Sequence, residues 1–407
     1  SSGVFCSTSF VGSGASLTGT KFNVNDSDNN LFAGVGAGGT YAGGSSSCYN
    51  LALGCVAMGG MTNATSGASH NIALGCCTLY NLDGGGCNFA GGYQAGTGLT
   101  SGCNNIFVGR SAGRCQTTTS GNIYLGECAG HQSTGAGIGG DYNIAIGHKA
   151  AVGRCTSNSS CNIALGYESG YKGKGFHNIS LGKHSLYGSI FCGCYNIGIG
   201  NSTGYCLDDG NDNILIGRVA GYKIEDGSDN ISIGRFAGYN IIDAPDNVFI
   251  GERSGVWTCS GCRNVMLGGN AGGSESRSSY STGNCNIFLG YCAGALTCSG
   301  GANVFLGAFA GHTNTTGSYN VAIGEVCLAS ATGSCQLAIG MQGASKCWIL
   351  GDSSFNVCLA GSNIKAMNSG GVFCATSFVG DGSSLTGIVT ATGINTTTTS
   401  TFNDLTV

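Results

Sequence analysis

The chain has 407 residues, of which only 9% are charged, against about 25% in an ordinary soluble domain. A net charge of -4 offers no basic stripe, which excludes nucleic acid and anionic membrane as expected partners. Gly fills 77 positions and Pro only one, Pro245, a balance that fits neither collagen nor a proline-rich linker but suits many tight corners. No stretch approaches the roughly 18 apolar residues of a membrane helix. The opening Ser1-Ser2-Gly3 has neither an initiator Met nor a signal-peptide pattern, so a processed or partial product is expected.

Residues 1–29 form a connector that carries Gly3-Val4-Phe5-Cys6-Ser7-Thr8-Ser9-Phe10-Val11-Gly12 and then Leu17-Thr18-Gly19. From Asn30 a phrase of the type Asn-Ile-x-Leu-Gly-x-x-Ala-Gly begins and returns eighteen times, with its first glycine at positions from Gly34 to Gly340. Nine of the seventeen intervals are 17 residues, and the others run from 16 to 22. Periods of this size predict a solenoid in which no unit is stable alone. The array is assigned to residues 30–345: an all-β, parallel β-solenoid of about eighteen coils, which at roughly 4.8 Å per step is an elongated rod of about 80 Å.

Within each copy the residues three and one before the Gly are aliphatic, as in Ile123/Leu125, Ile214/Ile216 and Val304/Leu306. Alternation of period two predicts a strand with that pair on one face. The pair is expected to fill the coil. The residue between them points the other way and is often large: Phe107, Tyr124, Phe249, Met266, Phe288 and Phe305. These six are expected to meet a second copy of the chain, which makes a homotrimer the expected assembly. The Gly allows a corner with positive φ, the Ala three later sits where backbones crowd, and a short second strand and a variable return loop follow. The opening Asn, seventeen times from Asn30 to Asn320 with Gln336 last, is expected to stack into an amide ladder.

Extra length falls in the return loops, for example at 133–140 and 273–279, where tolerated variation outweighs a binding site. After Gly340 the spacing collapses, so 346–367 is a tapering cap with Trp348 as its expected lid. Residues 368–407 are a C-terminal connector that repeats the first one, from Gly371-Val372-Phe373-Cys374 to Leu385-Thr386-Gly387. A connector at both ends implies a modular shaft, with chains joined end to end in a longer fibre.

The segment Thr376 to Ile388 resembles connectors of bacteriophage tail-fibre and structural proteins. The Asn-Ile-Ala-Ile-Gly type phrase at 143–147, with its variant at 320–324, is similar to repeats of phage fibres and of the trimeric autotransporter adhesin head. In that head the phrase builds a three-chain β-roll that binds host surfaces. The resemblance implies a viral fibre protein of the virion surface, or an extracellular one, with host attachment to a receptor or glycan as an associated role. The competing expectation is a microbial cell-surface adhesin or extracellular fibre subunit. Adhesin-head repeats run nearer fourteen residues, which leaves handedness open. No anchor barrel or self-cleaving chaperone domain stands in this sequence.

No catalytic site is expected. Gly109-Arg110-Ser111-Ala112-Gly113 spells a nucleophile elbow and Gly34 to Gly39 a dinucleotide loop, but both are frames of the repeat without a strand-to-helix context. Cys259/Cys262 and Cys192/Cys194 lack a second pair for zinc, and the six His scatter over different coils. A polysaccharide-cleaving spike is disfavoured by the scarcity of Glu. Asp209, Asp226 and Asp243 are 17 apart, as are Asp212, Asp229 and Asp246. The two columns repel, and bound Ca²⁺ would relieve the repulsion; solvated acidic turns are the bland alternative. Of 24 Cys, several recur at matching positions (Cys87, Cys161, Cys285 and Cys335; Cys128 and Cys292), either as disulfides between coils or as small apolar filler.

Overall fold

The computed structural model describes residues 22–24, 28–39, 47–61, 67–131, 140–153, 159–173, 175–188, 192–273, 281–341, 347–354 and 356–359. The expectations for the two connector motifs and for most of the two long return loops lie outside the described residues. So does all of the second of the two units into which the chain divides, Gly361–Val407; the rest concerns the unit Ser1–Ala360.

That unit is a parallel β-solenoid with no helix among its described residues. Eighteen three- or four-residue strands, from β2 (Leu31–Ala33) to β19 (Leu337–Gly340), stack in one sheet with identical repeat positions opposite one another. Both ends of the stack are closed by strands running the other way. β1 (Phe22–Val24) pairs antiparallel with β2, while β20 (Cys347–Gly351) and β21 (Val357–Leu359) follow β19 as an antiparallel meander. Such ends blunt the edge that a bare terminal rung would present. Trp348 is not the lid expected of it, being 61% exposed; Cys347 and Leu350 pack on the core instead.

The glycine that ends each strand has φ between +120° and +140° in nearly every rung. At Gly234 an added Cβ would lie 2.5 Å from the Gly251 carbonyl oxygen, so a side chain there would separate two rungs. The expected short second strand is absent among the described residues. The chain passes instead through overlapping turns, such as Ala112 N–H to Gly109 C=O at 3.3 Å and Gln116 N–H to Gly113 C=O at 3.2 Å. Left-handed residues two and four after the glycine, such as Ser111 and Gly113, drive these turns and preclude a strand. The turns still bond rung to rung, as in Gly96 N–H to Ala112 C=O at 2.8 Å.

The Asn ladder runs unbroken. From Asn50 to Asn320, and finally at Gln336, each backbone N–H donates to the Oδ1 of the preceding Asn at 2.8–3.1 Å. Most Nδ2 groups also donate to that oxygen and to a carbonyl of the following rung, as Asn213 does to Asn196 Oδ1 (3.0 Å) and Gly227 C=O (2.8 Å). A second ladder runs two residues earlier, where the sequence shows only a mixture of Ser, Asn, Asp and Cys. There a backbone N–H donates to the side chain at the same position of the next rung. Examples are Cys103 to Ser120 Oγ (3.1 Å), Ser120 to Asp141 Oδ1 (2.7 Å), Cys194 to Asn211 Oδ1 (2.8 Å) and Asn211 to Ser228 Oγ (3.0 Å). The only proline, Pro245, occupies this column, where a missing N–H forfeits a side-chain partner and no sheet bond.

Candidate functional surfaces

The two faces of the strand are reversed from expectation. The middle residue is buried in all eighteen strands, and its two aliphatic neighbours are buried in none. Phe107, Phe249, Met266, Phe288 and Phe305 are fully buried and Tyr124 is 3% exposed, all within a single chain. They therefore lie inside the coil and cannot serve as the interface between chains. Phe288 stacks on Phe305 with centroids 4.9 Å apart, and Phe107 on Tyr124 at 5.4 Å. Burial holds the Tyr124 hydroxyl far above the usual phenol value, against a hydrogen bond with Asn143 that acts the other way.

The interior is narrow, so neighbouring positions trade volume. Where the middle residue is small, as at Ala52, Ala73 and Ser180, the fourth residue after that rung's corner is Met58, Leu79 or Leu186; elsewhere that position is mostly Gly. A Cβ on Gly198 would meet Leu186 Cγ at 2.8 Å, so Leu186 occupies the space that Gly198 leaves. Where the trade stops, at Ala164 with Gly170 in the fourth position, a cavity of about 60 Å³ opens between Tyr124, Asn143, Asn162, Asn178 and Leu186. It separates the interior into two apolar clusters, one ending at Ala164 and the other beginning at Leu186.

Reversal leaves the aliphatic pair outside. Two parallel columns, from Leu31 and Ala33 to Leu337 and Ile339, run the length of the sheet, with Ile106 38%, Ile287 39% and Leu289 36% exposed. Summed over the rungs, this stripe exposes on the order of 1,500 Å² per chain, beyond the few hundred Å² of the largest patch on a typical monomer.

A second surface feature has no counterpart among the expectations. Tyr171, Tyr187, Tyr205, Tyr222 and Tyr239, each five residues after its corner glycine, form one column with centroids 4.8–5.3 Å apart and planes within 15° of parallel. Lys172 Nζ sits over the first two rings, and Trp257 meets the last edge-on. The ring faces are thus covered by one another, and the column offers edges to solvent. Gly-Tyr at 204–205, 221–222 and 238–239, at intervals of 17, was the signal in the sequence.

The six aspartates are all exposed. Asp212, Asp229 and Asp246 hold left-handed backbone (φ 56–62°) in the column before the Asn ladder, which is left-handed in every rung. No group of three or more His, Cys, Asp or Glu able to hold a metal occurs among the described residues. Of the 21 described cysteines only Cys292 and Cys347 are buried, so core filler accounts for few of them. Ser111 of the elbow-like sequence is 5% exposed within a turn, and its neighbour Arg110 pairs with Glu127. Among the described residues no helix is long and apolar enough to cross a membrane. No family model, no curated protein and no solved structure matches this chain.

Proposed function

We propose that this chain is a structural, non-enzymatic shaft segment of a viral tail fibre or comparable surface appendage, assembled as a homotrimer. The supporting observation is the outward aliphatic stripe. The coil does not need it for its own core, yet it persists over eighteen rungs. Its area exceeds the roughly 800 Å² per partner of a standard interface. A stripe two side chains wide, about 7 Å between columns, suits three chains converging on one axis. The repeat phrase and the connector motifs, similar to those of phage fibres, favour the virion surface over a cell-bound adhesin. Host attachment would then fall to partly exposed columns such as the tyrosines.

Light scattering on the purified chain tests the assembly. Three times the 40.6 kDa chain mass is expected. Replacing Ile287 and Leu289 together with Ser should shift that mass downward while circular dichroism stays unchanged. A stable monomer of the parent protein at micromolar concentration would sink the trimer and with it the fibre reading.

A further inference from the structure

Cys55 and Cys76 directly follow Gly54 and Gly75 and so occupy the same position in successive rungs, whose strands pair in register as Leu53↔Leu74. No other two described cysteines do so. In-register positions of neighbouring strands lie about 4.8 Å apart, inside the roughly 4.4–6.8 Å Cα separation that a disulfide needs. The backbone holds them there: Cys77 N–H donates to the Cys55 carbonyl at 3.0 Å. The Cys76 thiol lies near that of Cys55, and its sulfur is 3.4 Å from that of Cys77. Cys55 is exposed and the other two are partly so, which leaves the cluster open to a soluble oxidant.

We propose that Cys55 and Cys76 are a redox-responsive pair that closes to a disulfide between two rungs, with Cys77 as a third thiol in exchange distance. With glutathione disulfide as oxidant, the Cys55 thiolate attacks one of its sulfurs and releases one glutathione thiolate, leaving a mixed disulfide at Cys55. The Cys76 thiolate then attacks Cys55 Sγ and displaces the second glutathione thiolate. Two cysteine thiols have lost two protons and two electrons, and one glutathione disulfide has become two glutathiones. The bond closes the rung between residues 55 and 76 and restrains its opening. It draws on the geometry of one chain and is independent of the trimer.

Peptide mapping of the whole protein after incubation with glutathione disulfide, without reduction, tests this. A Cys55–Cys76 cross-linked peptide is expected, reversed by dithiothreitol. Proteolytic cleavage between the two residues should also slow by roughly tenfold in the oxidised protein, an effect lost in Cys55→Ser. Recovery of Cys55 and Cys76 only as free thiols or glutathione adducts, or of a Cys76–Cys77 disulfide in place of the cross-rung bond, would overturn the assignment.

Discussion

Replacing Asn213 with Ala probes the amide ladder at a rung with ordinary spacing on both sides. The side chain is fully buried and makes three hydrogen bonds: Nδ2 to Asn196 Oδ1, Nδ2 to Gly227 C=O, and Oδ1 from the Asn230 N–H at 3.0 Å. Asn196 Oδ1 keeps the Asn213 backbone N–H at 3.0 Å, so it is not orphaned. The Asn230 N–H loses its partner inside a dry coil, and Gly227 C=O loses its donor. At about 1–1.5 kcal/mol for each of the three lost bonds, plus about 1–3 kcal/mol for a buried donor left unmade, the variant should lose about 4–7 kcal/mol. Because a repeat array opens locally, hydrogen exchange resolves the effect better than a single melting temperature. The Asn230 amide and the rungs on either side should exchange at least a hundredfold faster at equal protein concentration. Unchanged exchange at Asn230, with a stability loss under about 1 kcal/mol, would mean that the ladder follows from the stack and does not hold it.

Gly234→Ala should be as damaging as the loss of a core residue, about 3 kcal/mol or more, since a β-carbon at φ +134° is driven into the Gly251 carbonyl; an unaltered denaturant midpoint would refute the corner geometry. Phe288→Ala should cost about 3–5 kcal/mol through the cavity it leaves beside Phe305. That loss should be the same whether or not the chains are associated, as measured in the Ile287/Leu289 double variant. Tyr124 is neutral when buried and its folded value is raised, so its contribution is complete below the unfolded phenol value of about 10 and is lost as pH rises beyond it. Alkaline titration of stability should fall less steeply in Tyr124→Phe; identical slopes would place the hydroxyl in water.

Period, parallel stacking, corner glycine and Asn ladder were all legible, because each is imposed by backbone approaching backbone and leaves the same residue in every rung. At Gly234 nothing larger fits, and at Asn213 nothing else makes all three bonds. The second ladder was not legible. Ser120, Asp141, Asn211 and Cys103 share no composition; they share only a short side chain with an acceptor atom. The second strand was misread because αL residues such as Ser111 and Cys128 are invisible to hydrophobic patterning. The exchange of volume between Gly198 and Leu186 needed the third dimension.

The reversal of the strand faces has a different origin, for the sequence contained what was needed. Alternation says that residues three and one before the Gly share a face, and that the middle residue shares the other face with the Asn four before the Gly. A stacked amide ladder must be shielded from water to be worth forming, so the Asn face is the inner one, as the burial of Asn213 and Leu215 together bears out. Small middle residues such as Ala73, Ala145 and Ser232 point the same way, since a coil closed within about seventeen residues leaves little room. Once the parity is applied, the paired Ile and Leu become the one apolar feature that the coil has no internal use for. A largely Ile, Val and Leu column held outside over eighteen rungs, in a chain with so few charges, is the feature on which the proposed association of chains rests.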